Sequence, residues 1–383
     1  MSTDQQGFVP PPYPYDRLDE LKAIADAHDG GLVDLSIGTP FDPPPPSVLE
    51  AMATSGTERS YPPSIGTLEF RTAAATWLNR LVASEGSGDD GPVGPDHIRA
   101  TIGSKEFVAG LPHWLRLRTP DRDTVLYPAI SYPSYEMGAT LAGCRAVPVP
   151  VNERWELELS AIDEADAARA LCLWVNTPGN PAGGLDDLGA AYRWGRERNV
   201  LVVSDECYAA FTWRGRPQSI VTHGLEGALA VHSLSKRSNL AGARSGFYAG
   251  DPELVHYLGE LRKHAGFMQP GPVQAAAVVA FADETHVEVQ RDIYRRRLDL
   301  MLRITAMLDS QAEMPGGGFY LWAPAPDGDA WAFARRLATE AGVLVSPGEF
   351  YGKQGAAHVR IAMVQPDERL ALAAARMGLS VDR

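Results

Sequence analysis

Ser233-Leu234-Ser235-Lys236-Arg237-Ser238-Asn239-Leu240-Ala241-Gly242-Ala243-Arg244 follows an unbroken apolar run, Ala228-Leu229-Ala230-Val231, that reads as a buried strand. Lysine is seldom buried without a partner. A lysine just past such a strand is therefore either a solvated loop charge or an amine held for chemistry. Two serines precede it and an arginine follows eight positions later. Hydroxyls and a guanidinium beside a primary amine make a small anion pocket next to a nucleophile. That combination suits condensation with a phosphorylated aldehyde.

The same alternation of apolar strand and polar strand end recurs through the first 250 residues. Strands are expected at 97–102, 124–127, 146–149, 170–175, 200–205, 228–232 and 244–249, with helices such as 107–117, 136–142 and 186–197 between them. Near-continuous apolar strands alternating with helices signal a mostly parallel sheet covered on both faces, an α/β architecture. At 383 residues the chain exceeds what one core usually occupies. The expected division is an arm with part of a smaller unit at 1–45, a large unit at 46–280, and a smaller α+β unit at 281–383. In the last quarter one long helical stretch is expected from 273 to about 309, with strands at 314–322, 343–347 and 358–364. Ser47 is expected to cap a helix at 48–55. Residues 10–15 form a stiff proline-tyrosine arm, and 86–94 read as an exposed loop.

Composition narrows the function. A net charge of −13 and a pI near 5.2 argue against nucleic acid or an anionic membrane as partner, while leaving room for a local cationic site. No apolar run approaches the length of a membrane span. The polar, proline-rich start has no secretory pattern. Cys144, Cys172 and Cys207 form no paired motif, as expected for free thiols in a reducing cytoplasm. The scattered histidines show no metal-ligand spacing.

Polar residues gather at the ends of the expected strands, where an open α/β sheet binds its ligands. They are Ser104, Lys105, Tyr132, Asn180, Asp205, Tyr208, Ser233, Lys236 and Arg244. Asp205 closes an apolar strand, so it is either a turn cap or a carboxylate that keeps a pyridinium nitrogen protonated. Tyr208 and Asn180 are suited to a phenolate oxygen, or equally to a core hydroxyl and an Asn-Pro turn. Ser104 and Lys105 open a helix, where free N–H groups favour phosphate; a plain serine cap reads as well. Tyr132, in a Tyr-Pro-Ser-Tyr turn, can stack on a planar ring. Singly, each plain alternative competes. Together, in this order, they point to pyridoxal phosphate.

With these residues in place, the chain resembles the fold-type I pyridoxal-phosphate aminotransferases of class I/II. The motifs are Asn-Thr-Pro-Gly-Asn-Pro (176–181), Ser-Asp-Glu-Cys-Tyr (204–208), Ser-Leu-Ser-Lys (233–236) with Arg244, and His-Val-Arg-Ile-Ala (358–362). The resemblance implies a seven-stranded, mostly parallel sheet in the large domain. It makes Lys236 the lysine that carries the cofactor and moves the substrate proton, and Asp205 the partner of the pyridine nitrogen. It places Asn180 and Tyr208 on the ring's O3′, Tyr132 against the ring, and Ser104, Lys105, Ser233 and Arg244 at the phosphate. Tyr61 matches a tyrosine that reaches the phosphate of the neighbouring subunit, which implies a homodimer. Arg360 matches the arginine for the substrate α-carboxylate, and Gly38 a glycine beside the substrate. Ala182 stands where the family often has threonine.

For the substrate, segments 103–112, 131–139 and 235–242 and the arm with Asp-Leu-Ser-Ile-Gly-Thr-Pro (34–40) resemble the succinyldiaminopimelate transaminases of actinobacteria. The implied reaction is glutamate plus N-succinyl-2-amino-6-oxopimelate giving N-succinyl-diaminopimelate and 2-oxoglutarate, in lysine and diaminopimelate biosynthesis. Its extra carboxylates need a second cation, for which Arg237 and Lys263 qualify by type. Aspartate, aromatic and branched-chain aminotransferases share the same motifs. So does a C–S lyase of this cofactor, which needs no keto-acid acceptor. A cofactor-binding regulator would need a nucleic-acid module, and neither length nor charge provides one.

Overall fold

In the computed structural model, which describes residues 8–83 and 91–380, the strands in chain order are β1 (Val33–Asp34), β2 (Ile98–Ile102), β3 (Thr124–Pro128), β4 (Arg145–Val149), β5 (Ala170–Asn176), β6 (Leu201–Asp205), β7 (Ala228–Ser233), β8 (Ser245–Gly250), β9 (Tyr320–Pro324), β10 (Val343–Leu344), β11 (Ser346–Pro347) and β12 (His358–Ala362). Seven of them form one sheet in the order β2-β8-β7-β6-β5-β3-β4. The β7–β6, β6–β5, β5–β3 and β3–β4 pairs are parallel; β8 is antiparallel to both neighbours. The expected mostly parallel sheet is thus present, with β8 as the reversed strand.

The central strands are apolar throughout because both faces are covered. Period-two alternation sends Val202, Leu173, Ala228 and Ala230 to one core, beneath helices Leu68–Val82, Leu188–Arg198 and Gly271–Ala282. It sends Val203, Trp174, Leu229 and Val231 to the opposite core, beneath helices Ser104–Arg118, Ser134–Leu141 and Pro252–His264. A third core joins Leu18, Leu21, Val33 and Leu35 to Leu298, Met301, Phe319, Val343 and Ile361. It packs the antiparallel sheet β11-β12-β9 and the parallel β1–β10 pair against helices Thr285–Ala306 and Asp367–Arg376.

Several local expectations are corrected. The single helix at 273–309 is two, broken at Asp283, whose extended backbone stops the first and whose carboxylate accepts the Thr285 N–H at 2.8 Å. The strand expected at 314–322 begins only at Tyr320, because Gly316, Gly317 and Gly318 precede it as an irregular turn. Ser47 is not the cap of its helix, which starts one residue earlier at Pro46, where the missing N–H costs nothing. The helix expected from 186 begins at Leu188, capped by the Asp187 carboxylate. Of the loop at 86–94, residues 86–90 lie outside the described residues.

Candidate active site

The strand ends of the large sheet assemble the site. β5 ends at Asn176, β6 at Asp205 and β7 at Ser233, while β2 runs into Gly103. Because β8 is reversed, its beginning lies on the same edge: Ser245 pairs with Ile102 and Gly246 with Ser233. Arg244, one residue before β8, therefore meets the start of helix Ser104–Arg118. Gly103 caps that helix with φ +71°, and no side-chain cap bonds the helix's free N–H groups among the described residues. A Cβ at Gly103 would overlap the Arg244 guanidinium. A helix N-terminus and an arginine thus face one space, a built anion cradle. Ser233 Oγ accepts the Ser235 N–H at 3.1 Å and donates to Ser235 Oγ at 2.9 Å, so two hydroxyls line the turn that carries Lys236.

Lys236 sits in a single helical turn, Leu234–Arg237, and its ammonium donates to the Gly38 carbonyl. The chain has five lysines, and Lys22, Lys105, Lys263 and Lys353 are exposed. Burial, with Arg360 and Arg244 nearby, pulls the Lys236 amine down to about 8. A neutral amine is the nucleophile. The apoprotein should therefore capture pyridoxal phosphate at a rate that rises with pH and levels off above about 8. Stopped-flow absorbance on mixing checks this; an inflection at the ordinary lysine value of about 10.4 would contradict it.

Asp205 is buried and receives Tyr135 OH at 2.9 Å and the Cys207 N–H at 3.2 Å. Burial raises its pKa against those two donors. A buried carboxylate held by neutral donors is completed by a cationic N–H. Tyr135, which stacks on Trp174 at 5.0 Å, is not among the residues that the sequence motifs single out. Tyr208 OH lies 2.9 Å from Tyr320 OH. Tyr132 is half-buried, edge-on to Tyr135.

Arg360, on β12, is 3% exposed yet bonds only neutral groups: Asn180 Oδ1 at 3.0 Å, the Ser36 carbonyl at 2.6 Å and Tyr15 OH at 3.3 Å. The rings of Tyr320 and Tyr351 flank the guanidinium at 4.4 and 4.6 Å, and its Nε has no partner among the described residues. A buried cation without an anion is costly unless a ligand supplies one. Asn180 is positioned by the Asn176 side chain, which accepts its N–H at 2.8 Å. Asp186 steadies the same loop by accepting the Leu157 and Asn176 N–H groups; burial lifts its pKa to about 6.

Not every expected residue converges. Arg237 points away from Lys236, bonded to Glu284 at 2.5 Å and to the Ala280 carbonyl at 2.6 Å, against Trp77. Successive residues of a helical turn diverge by about 100°, so adjacency to Lys236 carries Arg237 to another face. Lys263 lies exposed beside Glu260 on its own helix. Neither cation is in the site. Tyr61 is 94% exposed, and this chain alone does not bring it to Lys236. Lys105 is exposed, its ammonium 5.7 Å above the Tyr132 ring.

An amine, a buried carboxylate and an anion cradle on the carboxyl edge of a parallel sheet define a pyridoxal-phosphate enzyme of fold type I. Residues 31–377 match the family model for aminotransferase class I and II. The chain belongs to that family and is a pyridoxal-phosphate-dependent aminotransferase. It is 40% identical to the 4-dedimethylamino-4-oxo-anhydrotetracycline transaminase OxyQ of Streptomyces rimosus, over 96% of this chain and 99% of that protein. It is 35% identical to the LL-diaminopimelate aminotransferase of Aquifex aeolicus, over 96% of each. Among solved structures, a probable N-succinyldiaminopimelate aminotransferase from Thermus thermophilus superposes with a TM-score of 0.83 at 32% identity, covering 95% of this chain and 99% of that one. No helix among the described residues is long and apolar enough to cross a membrane.

Proposed function

We propose that this aminotransferase is a succinyldiaminopimelate transaminase, acting on an amino acid with a carboxylate at its reacting end and further carboxylates beyond. The observation that carries the reading is the buried Arg360, enclosed by neutral hydroxyls and carbonyls and without an acidic partner in its hydrogen bonds. That environment suits a substrate carboxylate. The acidic-substrate names of the Aquifex and Thermus relatives support the rest.

In this reading the cofactor's phosphate is held by the N–H groups after Gly103, by Ser104, Ser233 and Arg244, and from a second copy of the chain by Tyr61. Tyr61, 94% exposed in its own chain, is open to contact with that second copy. Asp205 keeps the ring nitrogen protonated, Asn180 and Tyr208 serve the phenolic oxygen, and Tyr132 covers the ring. When bound, the cofactor supplies the electron sink that makes the substrate Cα–H acidic. Lys236, released by the incoming amine, would then move the proton from the substrate Cα to the cofactor carbon that had held the lysine, as general base and then general acid, which its depressed basicity favours. Arg360 fixes the carboxylate, and Gly38 lets the backbone lie close to the substrate. Tyr15, Tyr320 and Tyr351 wall the guanidinium from water and so strengthen its grip.

Since neither Arg237 nor Lys263 faces the site, the distal carboxylates are given to Lys105, which the resemblance alone had set at the phosphate. It is exposed, with its ammonium 5.7 Å above the Tyr132 ring. Lys105→Ser should raise KM for acidic donors about tenfold, as expected for one charge-assisted bond, with kcat little changed. Steady-state kinetics with glutamate and with a neutral donor check it. An equal loss for both would return Lys105 to the phosphate.

The 40% identity to OxyQ favours a second reading, in which the acceptor is an oxo-anhydrotetracycline of the kind in that enzyme's name. A half-reaction screen separates the two. The holoenzyme is mixed with single donors, and the spectrum of the lysine-bound cofactor is followed. Rapid bleaching by glutamate and N-succinyl-diaminopimelate, with slow response to aromatic and branched donors, supports the proposal. Bleaching by glutamate alone, with turnover only on the tetracycline ketone, supports the second.

A further inference from the structure

We propose that Tyr320 is a positioning residue, whose hydroxyl donates to Tyr208 and so sets how strongly Tyr208 donates to the cofactor's phenolic oxygen. The inference rests on the reading of Tyr208 given above. The two hydroxyls are 2.9 Å apart, and both side chains are buried, Tyr320 at 3% and Tyr208 at 7% exposure. A phenol has one proton. When Tyr208 directs its proton to the cofactor, the bond between the two tyrosines is filled by the proton of Tyr320. Donors in series polarise one another, so a hydroxyl that accepts one bond donates the next more strongly.

The geometry fixes Tyr320 for this task. It begins β9, which pairs along its length with β12, the strand of Arg360. Its ring lies edge-on to Tyr208, with centroids 5.5 Å apart, and its face is toward the Arg360 guanidinium. Its hydroxyl abuts Gly38, where any Cβ would overlap it, and the Gly38 carbonyl accepts from Lys236. The titratable groups facing Tyr320 are Arg360, Tyr208, Tyr15 and Tyr132; those facing Tyr208 are Tyr320, Cys207 and Arg360; those facing Lys236 are Arg360, Cys207 and Arg244. Replacing Tyr320 by Phe removes the donor and keeps the ring against Arg360.

The test is a spectral pH titration of the lysine-bound cofactor in four holoenzymes: wild type, Tyr208→Phe, Tyr320→Phe and the double variant. A donor on the phenolic oxygen stabilises its negative charge most when the lysine-linked nitrogen has lost its proton. Losing that donor therefore raises the nitrogen's pKa. Tyr208→Phe should raise it by roughly one unit or more, as for a hydrogen bond to a charged group. Tyr320→Phe should raise it by a few tenths, roughly the share contributed by a neighbouring bond in a chain. The double variant should match Tyr208→Phe alone. A purely structural tyrosine would lower the melting temperature and leave the spectral pKa in place. A wild-type pKa in Tyr320→Phe, beside a shifted Tyr208→Phe, overturns the inference and leaves the role of Tyr208 standing. Additive shifts in the double variant overturn it as well. No shift in Tyr208→Phe overturns the underlying reading itself.

Discussion

Lys236→Ala should abolish the absorbance of lysine-bound cofactor and lower turnover by roughly 10⁴-fold or more, because one side chain is both the attachment point and the proton carrier. The fold should survive, since among the described residues Lys236 bonds only the Gly38 carbonyl and its loss leaves no buried acid there unpaired. The cofactor should still bind weakly: the cradle of Gly103 and Arg244 does not depend on the lysine. Equilibrium dialysis with pyridoxal phosphate and absorbance scanning separate attachment from binding. A variant that keeps the absorbance of covalently held cofactor would remove Lys236 from this role.

The second large effect is at Arg360. Arg360→Ala should cost about 2–5 kcal/mol of transition-state binding, or roughly 30- to several-thousand-fold in kcat/KM, as for truncating a buried charged pair. The loss should be much smaller for an amine donor lacking a carboxylate. Arg360→Lys should recover only a small part, since an ammonium cannot reproduce the planar two-point contact. Equal losses with and without the donor's carboxylate would show that the variant damages the site generally.

The fold and the cofactor residues are legible because each sits in a local signal. Apolar strands end in polar residues, and Asp205, Lys236 and Arg244 each belong to a short motif at a strand end. The tyrosines around Arg360 carry no such signal. Tyr320 lies in an apolar strand where a core aromatic reads the same, and its hydroxyl finds Tyr208 across 112 residues of chain. Tyr15 and Tyr351 meet at 2.9 Å from opposite ends of the sequence. Only packing of the N-terminal arm onto the smaller sheet creates that contact, so periodicity cannot report it. Arg237 misleads for the converse reason: a neighbour of Lys236 in sequence is not its neighbour in space. The break at Asp283 is hidden because helical periodicity continues on both sides of it. Tyr61 and Lys105 illustrate a third case. Their residue types fit the motif, but both side chains are exposed, so no packing within the chain reports their roles.

The central claim is that Lys236, alone among five lysines, holds the cofactor. Borohydride reduction of the holoenzyme followed by peptide mapping tests it most directly. The account predicts a single pyridoxyl group, on the peptide containing Lys236, with Lys22, Lys105, Lys263 and Lys353 unmodified. Stoichiometric label on any of those four, or an unlabelled Lys236 in active enzyme, would contradict it.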